Sequence, residues 1–235
     1  MAIDSVIFGF GYRARAGKDV AVAEIIKQRG LTTADAVLDK TTERYDIRRY
    51  AFADALKREV NAAAIAAGGM EKMFNPNRRF AMCNGYYMDF PEWVQYDPNA
   101  PMDDPMCPLG KQRSLLQFWG AEYRRAQDGD YWVRKLAQQI ELEKPAIACI
   151  TDMRFLNEMR FVQQYGETVR VDRDCLAPAT HISETALADI SDENWSIILE
   201  NNGSLEEFLI GAVTCFDELL TNFPFGANRV AVQGA

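Results

Sequence analysis

The chain has 235 residues and a formal net charge of -8, which suits one medium-sized domain with a full hydrophobic core. This acidic balance argues against a broad surface for a nucleic-acid polymer or a membrane, because both are negatively charged. The five cysteines are scattered without a C-x-x-C pair, which argues against a disulfide framework or a zinc site. His181 is the only histidine, so a metal site built on several histidines is excluded. No run approaches the roughly 18 apolar residues that span a bilayer, and no signal peptide is evident. We therefore expect a cytoplasmic protein with reduced thiols.

The first segment of interest is a short apolar run, residues 6–9, followed by a loop and a helix predicted at residues 18–29. The loop approaches the pattern G-x-x-x-x-G-K-[ST], in which backbone N–H groups surround phosphate oxygens and the lysine reaches the outer phosphates. Tyr12 replaces the first glycine of that pattern, and Asp19 replaces the hydroxyl residue. The strand–loop–helix context still predicts a site for a nucleoside triphosphate. The candidate ATP-binding residues are Arg13, Ala14, Arg15, Ala16, Gly17, Lys18, Asp19 and Val20.

The same glycines allow a second, weaker interpretation as a dinucleotide-binding fingerprint. Gly9-x-Gly11-x-x-Ala14 fits G-x-G-x-x-[GA], and that fingerprint expects an acidic residue about 20 positions further on, at the end of a second strand. Asp35 lies at a suitable distance, but the residues before it do not form a convincing strand. This interpretation also leaves Gly17-Lys18 without a role.

The next segments are a strand predicted at residues 47–52 and a helix at 55–67, with Asp54 at the N-cap of the helix. Residues 68–110 are rich in Asn, Pro, Met, Tyr and Asp and lack sustained periodicity. Long irregular segments inside a compact domain are commonly lids or binding loops. We therefore interpret residues 68–110 as an inserted lobe or lid near the active site.

Regular structure resumes after this segment. Helices are predicted at residues 112–123 and 129–142, and strands at 146–150, 167–171 and 195–199. Another helix, which Gly166 ends, is marked by Phe155, Met159 and Val162. Ser204-x-x-Glu207 is a capping box that opens the last helix. Its apolar stripe is Leu205, Phe208, Leu209, Ala212, Val213 and Phe216, and residues 223–235 are predicted to be a flexible tail.

Strands that alternate with helices predict an α/β fold, with one domain over residues 1–235 and a central parallel sheet flanked by helices. In such folds, ligands bind at the carboxyl ends of the strands. Asp152 and Arg154 follow the apolar strand at 146–150, so we expect them in a binding site. The alternative is an ion pair at the strand end, between Asp152 and either Arg154 or Arg160.

Several separated segments occur in a characteristic order: GYRARAGKD, FADALK, LLQFWGAEYRR followed by DYWV, ITDMRFLNE, THISE and NNGSLEEF. Together they resemble the bacteriophage deoxynucleoside monophosphate kinases, a family of P-loop kinases. The similarity extends from Val6 to about Leu220 and leaves out much of residues 68–110. It implies transfer of the γ-phosphoryl group of ATP to a deoxynucleoside 5′-monophosphate, with Mg²⁺ as cofactor. It also implies small nucleotides as partners and suggests a homodimer.

The resemblance assigns roles within the loop. Lys18 would bridge the β- and γ-phosphates of ATP. Asp19 matches a G-K-D variant of this family and would hold Mg²⁺ directly or through water, or else only complement the helix dipole. Val20 replaces a common threonine, and Tyr12 a frequent glycine, so Tyr12 would be strained if its position requires a positive φ. The loop arginines, Arg13 and Arg15, either contact phosphate or are solvated charges.

The resemblance places other residues at the monophosphate substrate. Arg125 matches an arginine that follows G-[TA]-E and would clamp phosphate, with its neighbour Arg124 as the weaker candidate. Arg154 would pair bidentately with the substrate phosphate, while Asp152 and Glu158 would accept hydrogen bonds from the base or the sugar.

Two further candidates have open alternatives. Lys57 either faces the monophosphate or is a surface lysine, and Trp132 either stacks on the base or belongs to the core. The element formed by Thr180, His181 and Glu184 matches T-H-x-[ST]-E and is given no chemical role.

Two other functions remain open at this point. One is a P-loop kinase for another small acceptor, such as dephospho-coenzyme A or a sugar. The other is a non-catalytic nucleotide-binding module, which the departures at Tyr12 and Val20 would permit. The sequence does not disclose which base is preferred or whether ribonucleotides are excluded.

Overall fold

The computed structural model describes residues 3–31, 45–74, 80–81, 87–174 and 182–222. Contacts divide the chain into two compact units, the first formed by Met1–Ala51 with Leu136–Ala235 and the second by Phe52–Lys135. The strands are β1 Val6–Gly11, β2 Ile47–Tyr50, β3 Phe80–Ala81, β4 Tyr87–Met88, β5 Ile147–Met153, β6 Gly166–Asp172 and β7 Ile197–Glu200.

The helices alternate with these strands along most of the chain. The α-helices are α1 Lys18–Arg29, α2 Phe52–Ala66, α3 Met70–Met73, α4 Arg113–Gln117, α5 Arg125–Gln127, α6 Tyr131–Glu143, α7 Leu156–Tyr165, α8 Ile182–Thr185 and α9 Leu205–Asn222. A π-helix at Phe118–Arg124 lies between α4 and α5, and a 3₁₀-helix at Asp192–Asn194 precedes β7. Within the described ranges, no helix has the length and apolar character needed to cross a membrane.

The first unit is built on a five-stranded sheet in the order β2-β5-β1-β6-β7, and every neighbouring pair is parallel. Parallel neighbours require crossover connections, and helices supply them here. The predicted α/β class with a central parallel sheet is therefore confirmed. The second unit contains a separate two-stranded antiparallel sheet of β3 and β4.

All six residues of β1 are buried, because helices cover both faces of the sheet. Alternate residues such as Phe8 belong to a core cluster shared with α1 and α9, and the ring of Phe8 meets that of Phe216 edge-on at 5.6 Å. On the opposite face, a Cβ at Gly9 would lie 2.7 Å from a methyl group of Val162 in α7. Gly9 therefore allows α7 to pack closely against the sheet.

Several predicted boundaries need correction. Helix α2 begins at Phe52, so Asp54 lies within the first helical turn, and its prediction as the N-cap was wrong. Strand β5 continues to Met153, because its pairing with β1 extends to the partners Gly11 and Met153. Thr151 and Asp152 are consequently part of the strand rather than the residues that follow it.

The last helix, α9, follows the predicted capping box. Ser204 Oγ accepts a hydrogen bond from the Glu207 N–H at 3.2 Å, and the Glu207 carboxylate accepts one from the Ser204 N–H at 2.8 Å. Phe208 and Phe216 of the predicted stripe are buried, but Leu205 is 64% exposed, so its placement in the core was wrong. Leu205 is the first helical residue and lies next to the exposed capping box.

The second unit contains a half-buried carboxylate that accepts three hydrogen bonds. Glu59 accepts hydrogen bonds from the Trp119 indole N–H at 2.9 Å, the Tyr131 hydroxyl at 2.8 Å and the Arg124 Nε–H at 2.6 Å. Burial and the bond to Glu59 raise the pKa of Tyr131 to about 12. The predicted helix at 112–123 is interrupted by the π-helix that carries Trp119 and Arg124 toward this carboxylate.

Residues 68–110 lie inside the second unit, and their role as an inserted lobe or lid stays a prediction. Residues 75–79 and 82–86 of this segment are outside the described part of the chain, as are Asp35, Thr180, His181 and the predicted tail at 223–235.

Candidate functional site

The loop between β1 and α1 has an unusual backbone. Tyr12 and Arg15 have positive φ angles of 86° and 62°, and Gly17 has a φ of 107°. A non-glycine residue in such a conformation costs on the order of 1–3 kcal/mol, so the strain expected for Tyr12 is present. The Tyr12 ring lies 4.5 Å from the guanidinium carbon of Arg170, a cation–π contact that offsets part of this cost.

Gly17 is required where it stands, because a side chain there would collide with the residues that close over the loop. A Cβ at Gly17 would lie 2.6 Å from Asn201 Nδ2 and 3.0 Å from the ring of Phe208. Asn201 Nδ2 also donates a hydrogen bond to the Ala16 carbonyl oxygen at 2.8 Å. Asn201, in the segment between β7 and α9, thus holds the loop in place.

Lys18 is the first residue of α1 and is only 5% exposed. Its Nζ donates a hydrogen bond to the backbone carbonyl oxygen of Arg13, so the ammonium group folds back over the loop. Arg13 is half-buried and Arg15 is exposed, and both alternatives for these two side chains stay open. The loop therefore places one buried positive charge beside the N-terminus of a twelve-residue helix.

Asp19 joins the loop to the neighbouring strands. Its Oδ1 accepts a hydrogen bond from the Thr151 hydroxyl at 2.7 Å and lies 3.3 Å from Arg49 Nη2. Thr151 is 1% exposed, whereas the Asp19 side chain is 72% exposed. Asp19 therefore contacts β5 and β2 as well as standing in the first turn of α1, and its carboxylate remains open to solvent.

The residues after Thr151 form the second half of the predicted site. Asp152 and Arg154 are half-buried at the end of β5. Glu158 is 2% exposed, and its Oε2 accepts hydrogen bonds from the backbone N–H groups of Arg154 and Phe155 at 2.7 and 3.1 Å. Glu158 thus caps α7 and fixes the turn that carries Arg154, a role different from the predicted contact with base or sugar.

In the second unit, Lys57 lies among acidic side chains. Its Nζ is 3.0 Å from Asp104 Oδ2 and 3.6 Å from Asp54 Oδ1. Burial opposes ionisation of Asp104, but hydrogen bonds from Lys57 and the Met106 N–H outweigh this effect and lower its pKa. Lys57 is therefore a partly buried, paired lysine rather than a plain surface lysine.

The two neighbouring arginines of the second unit differ in their surroundings. Arg124 pairs with Glu59, and its guanidinium carbon lies 4.9 and 5.1 Å from the ring centres of Tyr131 and Tyr123. Arg125 is half-buried and donates a hydrogen bond to the Gly129 carbonyl oxygen at 3.3 Å. Arg124 is thus held in an aromatic and acidic cluster, and the preference for Arg125 as the phosphate contact stays a prediction from the sequence.

Trp132 belongs to the core of the second unit. It is 3% exposed, and its indole N–H donates a hydrogen bond to the Gly120 carbonyl oxygen at 3.0 Å. This is the core alternative of the two that the sequence left open. We therefore leave Trp132 out of the nucleotide-binding set.

Sequence reasoning missed two contributors to the loop. Asn201 belongs to the segment NNGSLEEF, in which the resemblance assigns no residue a role. Thr151 follows the apolar run at 146–150, where the sequence predicts the end of a strand. The available signal is position, since both residues lie at the carboxyl ends of strands in a parallel sheet.

The described side chains include oxygen donors of the type that Mg²⁺ prefers when it is bound with a nucleotide. Asp19 and Thr151 provide hard oxygen donors, and Mg²⁺ bound with phosphates usually takes only one or two protein carboxylates and keeps several waters. In the described part of the chain, no group of three or more His, Cys, Asp or Glu side chains could hold a metal ion. A closed, all-protein metal site is therefore not seen among these residues.

Comparisons with known proteins found limited similarity. No family model matches the chain. Over 88 residues, the chain is 34% identical to a protein of Acanthamoeba polyphaga mimivirus named "Putative deoxynucleotide monophosphate kinase". This match covers 37% of the chain and 43% of the mimivirus protein, so the chain matches less than half of the length of that relative.

Two solved structures are similar over most of the chain at low identity. The Thermus thermophilus protein TT1252 aligns with 92% of this chain and 98% of its own, at 17% identity and a TM-score of 0.42. The dephospho-CoA kinase from Campylobacter jejuni aligns with 93% of this chain and 100% of its own, at 13% identity and a TM-score of 0.44.

Proposed function

We propose that this protein is a P-loop kinase that transfers the γ-phosphoryl group of ATP to a deoxynucleoside 5′-monophosphate. The observation that carries the proposal is the loop between β1 and α1, where a 5%-exposed Lys18 follows a left-handed Gly17 at a helix N-terminus. The local similarity to the mimivirus protein supports the choice of acceptor.

ATP is bound chiefly by the loop. Backbone N–H groups at the N-terminus of α1 and the ammonium of Lys18 face the phosphate oxygens, exchanging the Arg13 carbonyl for phosphate as the partner of Lys18. Asp19 would hold Mg²⁺, which supplies positive charge to the β- and γ-phosphates when it is bound. Asn201 and Tyr12, through their contacts, keep the loop in its strained conformation.

The acceptor monophosphate needs positive charge more than a general base, since it is already an anion at pH 7. Arg154 binds its phosphate, and Glu158 orients Arg154 through the backbone N–H of that residue. Asp152 accepts a hydrogen bond from the nucleoside, while Arg125 and Lys57 stay predicted phosphate contacts on the family resemblance alone. Lys18 and Arg154 offset the repulsion between two polyanions and stabilise the charge on the transferred group.

The partners that follow from this proposal are small nucleotides, without a nucleic-acid polymer or a membrane. The net charge of -8 supports this restriction. We propose a homodimer on the family resemblance alone, and light scattering after size-exclusion chromatography measures it directly.

A coupled assay for ADP release tests the function. Each common deoxy- and ribonucleoside monophosphate is offered with Mg²⁺ and ATP, alongside dephospho-coenzyme A and simple sugars. We expect ADP release only with nucleoside monophosphates, deoxy forms being preferred. Activity restricted to another acceptor would overturn the substrate class, and ATP binding without transfer to any acceptor would show a non-catalytic module.

Lys18→Ala provides the internal control for this assay. We expect turnover to fall by more than about 100-fold, because the lysine stabilises charge that develops in the transition state. Circular dichroism checks that the variant is folded. ADP release close to wild type from a folded Lys18→Ala protein would refute the assignment.

A further inference from the structure

We infer that Thr151 supplies, from strand β5, the hydroxyl oxygen that the loop lacks, so that Thr151 and Asp19 together hold the magnesium ion of the bound nucleotide. This inference rests on the proposed function and assigns a residue to the same site. Neither the loop pattern nor the resemblance gives Thr151 a role.

In P-loop proteins, Mg²⁺ is held by a Ser or Thr hydroxyl of the loop and by an aspartate on a neighbouring strand. In this chain, the loop position carries the carboxylate of Asp19, and the strand carries the hydroxyl of Thr151. The two donors are present with their positions exchanged, and their oxygens are 2.7 Å apart.

The sheet explains why Thr151 is in the right place. Strand β5 lies next to β1, with Gly9 opposite Ile150 and Gly11 opposite Met153. Thr151 therefore lies beside the last residues of β1 before the loop. The residue after Asp19 in α1, Val20, offers only an apolar side chain that is 47% exposed. Among the residues around Asp19, the hydroxyl therefore comes from the strand rather than from the helix.

The hydrogen bond leaves Thr151 able to bind a cation. Because Thr151 donates its proton to Asp19, the lone pairs of Oγ1 are directed away from that bond. Burial to 1% exposure holds the threonine in one position, while the Asp19 side chain stays 72% exposed and accessible to a metal nucleotide. The guanidinium of Arg49 also neighbours this carboxylate, with its Nη2 3.3 Å from Asp19 Oδ1.

A purely structural hydrogen bond between β5 and α1 is the competing explanation. The two explanations differ in how nucleotide affinity depends on magnesium. A structural bond supports the loop whether or not magnesium is present. A metal-binding hydroxyl contributes only when the cation accompanies the nucleotide.

The experiment compares Thr151→Val, which keeps the shape but removes the hydroxyl, with Thr151→Ser, which keeps the hydroxyl. Calorimetry measures the Kd of ATP for each full-length protein in Mg²⁺ and in EDTA, without acceptor. We expect Thr151→Val to weaken binding in Mg²⁺ roughly 10- to 100-fold, the range seen when groups around a metal are removed, with little change in EDTA. Thr151→Ser should stay within about twofold of wild type in both buffers, since it keeps the ligand oxygen.

A second measurement covers the case in which Thr151→Val does not fold. Thr151→Cys has a similar volume but presents sulfur, a poor ligand for Mg²⁺ and a good one for soft cations. We expect this variant to lose the magnesium enhancement and to recover tighter ATP binding with Cd²⁺, which wild type should not do. Electron paramagnetic resonance of Mn²⁺ with ATP gives an independent measure of metal affinity.

The outcomes separate this inference from the proposed function. Equal weakening of Thr151→Val in Mg²⁺ and EDTA, or a magnesium enhancement like that of wild type, overturns the role of Thr151 and leaves the kinase proposal intact. Absence of ATP binding by the wild-type protein in both buffers overturns the kinase proposal itself.

Discussion

At the scale of single residues, the loop departs from the general phosphate-binding pattern at Tyr12 and Asp19, and these two residues, like Gly17, neighbour residues far away in sequence. Tyr12, which is in a left-handed conformation, contacts Arg170 of β6. Asp19 contacts Thr151 of β5, and Gly17 is covered by Asn201 after β7. The short motif therefore describes only part of a site that is completed by strand ends.

Asn201 gives the clearest residue-scale prediction. Asn201→Ala removes the bond to the Ala16 carbonyl oxygen, which is 2.8 Å long. We expect ATP affinity to fall by about three- to tenfold, because a net hydrogen bond is worth about 0.5–1.5 kcal/mol and the loop would no longer be held in its binding conformation. Calorimetric titration with ATP and Mg²⁺ measures the effect.

The neighbouring asparagine is the matched control. Asn202 Oδ1 accepts a hydrogen bond from the Asp174 N–H at 2.9 Å, and no contact of Asn202 with residues 12–17 is recorded in the described part of the chain. Asn202→Ala should leave ATP affinity close to wild type. Equal affinity losses in the two variants would show that Asn201 has no specific role in the loop.

At the scale of elements, hydrophobic periodicity predicts the helix bounds that are encoded by nearby residues. Helix α1 has the predicted bounds of 18–29, since its apolar face and the stop at Gly30 are both encoded nearby. The strand ends were less predictable, because an apolar run stops at its first polar residue while ladder pairing continues. Strand β5 includes Thr151 and Asp152 for this reason, so it ends at Met153 rather than at the predicted residue 150.

Other features depend on contacts that no local pattern reports. The π-helix at Phe118–Arg124 carries side chains toward Glu59, which is 60 or more residues away in sequence. Glu158 is predicted as a substrate contact by resemblance alone, and the structure shows its carboxylate accepting two backbone N–H groups at the start of α7. Helix capping and substrate binding use the same residue types, so the sequence alone cannot separate them.

The junction of α7 and β6 yields the element-scale prediction. A Cβ at Gly166 would lie 1.9 Å from the Ile7 carbonyl oxygen on the adjacent strand, and a backbone atom cannot move aside as a side chain can. We expect Gly166→Ala to lower the free energy of unfolding by at least about 1–3 kcal/mol, the usual cost of overpacking. Urea denaturation measures this loss.

Gly129→Ala is a suitable control, because a Cβ at Gly129 meets nothing within 4 Å and its φ is outside the left-handed region. This variant should change the free energy of unfolding by less than about 0.5 kcal/mol, as is usual for surface substitutions. A Gly166→Ala protein as stable as Gly129→Ala would mean that the strand register beside Ile7 is not as described.

At the scale of the whole molecule, an acidic chain is proposed to bind two polyanions. With a net charge of -8, the overall field does not attract nucleotides, so affinity has to arise from local groups such as Lys18 and the N-terminus of α1. Binding of this kind stabilises the folded chain relative to the unfolded chain. Buried cysteines provide a way to measure that stabilisation.

Cys149 in β5 and Cys215 in α9 are buried in the first unit, and Cys107 is buried in the second. Burial raises the pKa of Cys215 to about 12 and that of Cys149 well above its ordinary value. Thiolates are the reactive species, so these thiols should react with iodoacetamide only when the structure around them opens. Alkylation at pH 8, read by peptide mass mapping, therefore reports unfolding of each unit separately.

The last prediction concerns the effect of nucleotide on this labelling. ATP with Mg²⁺ at about 100 times its Kd should slow alkylation of Cys149 and Cys215 by up to about 100-fold, since binding adds about 2.7 kcal/mol to the native state. The Lys18→Ala variant should show much less protection.

If Cys107 is protected to the same extent, the two units unfold together, whereas protection limited to Cys149 and Cys215 means that they open independently. Rapid labelling of Cys149 in the native protein, or identical rates with and without nucleotide, would contradict the buried core or the nucleotide site, respectively.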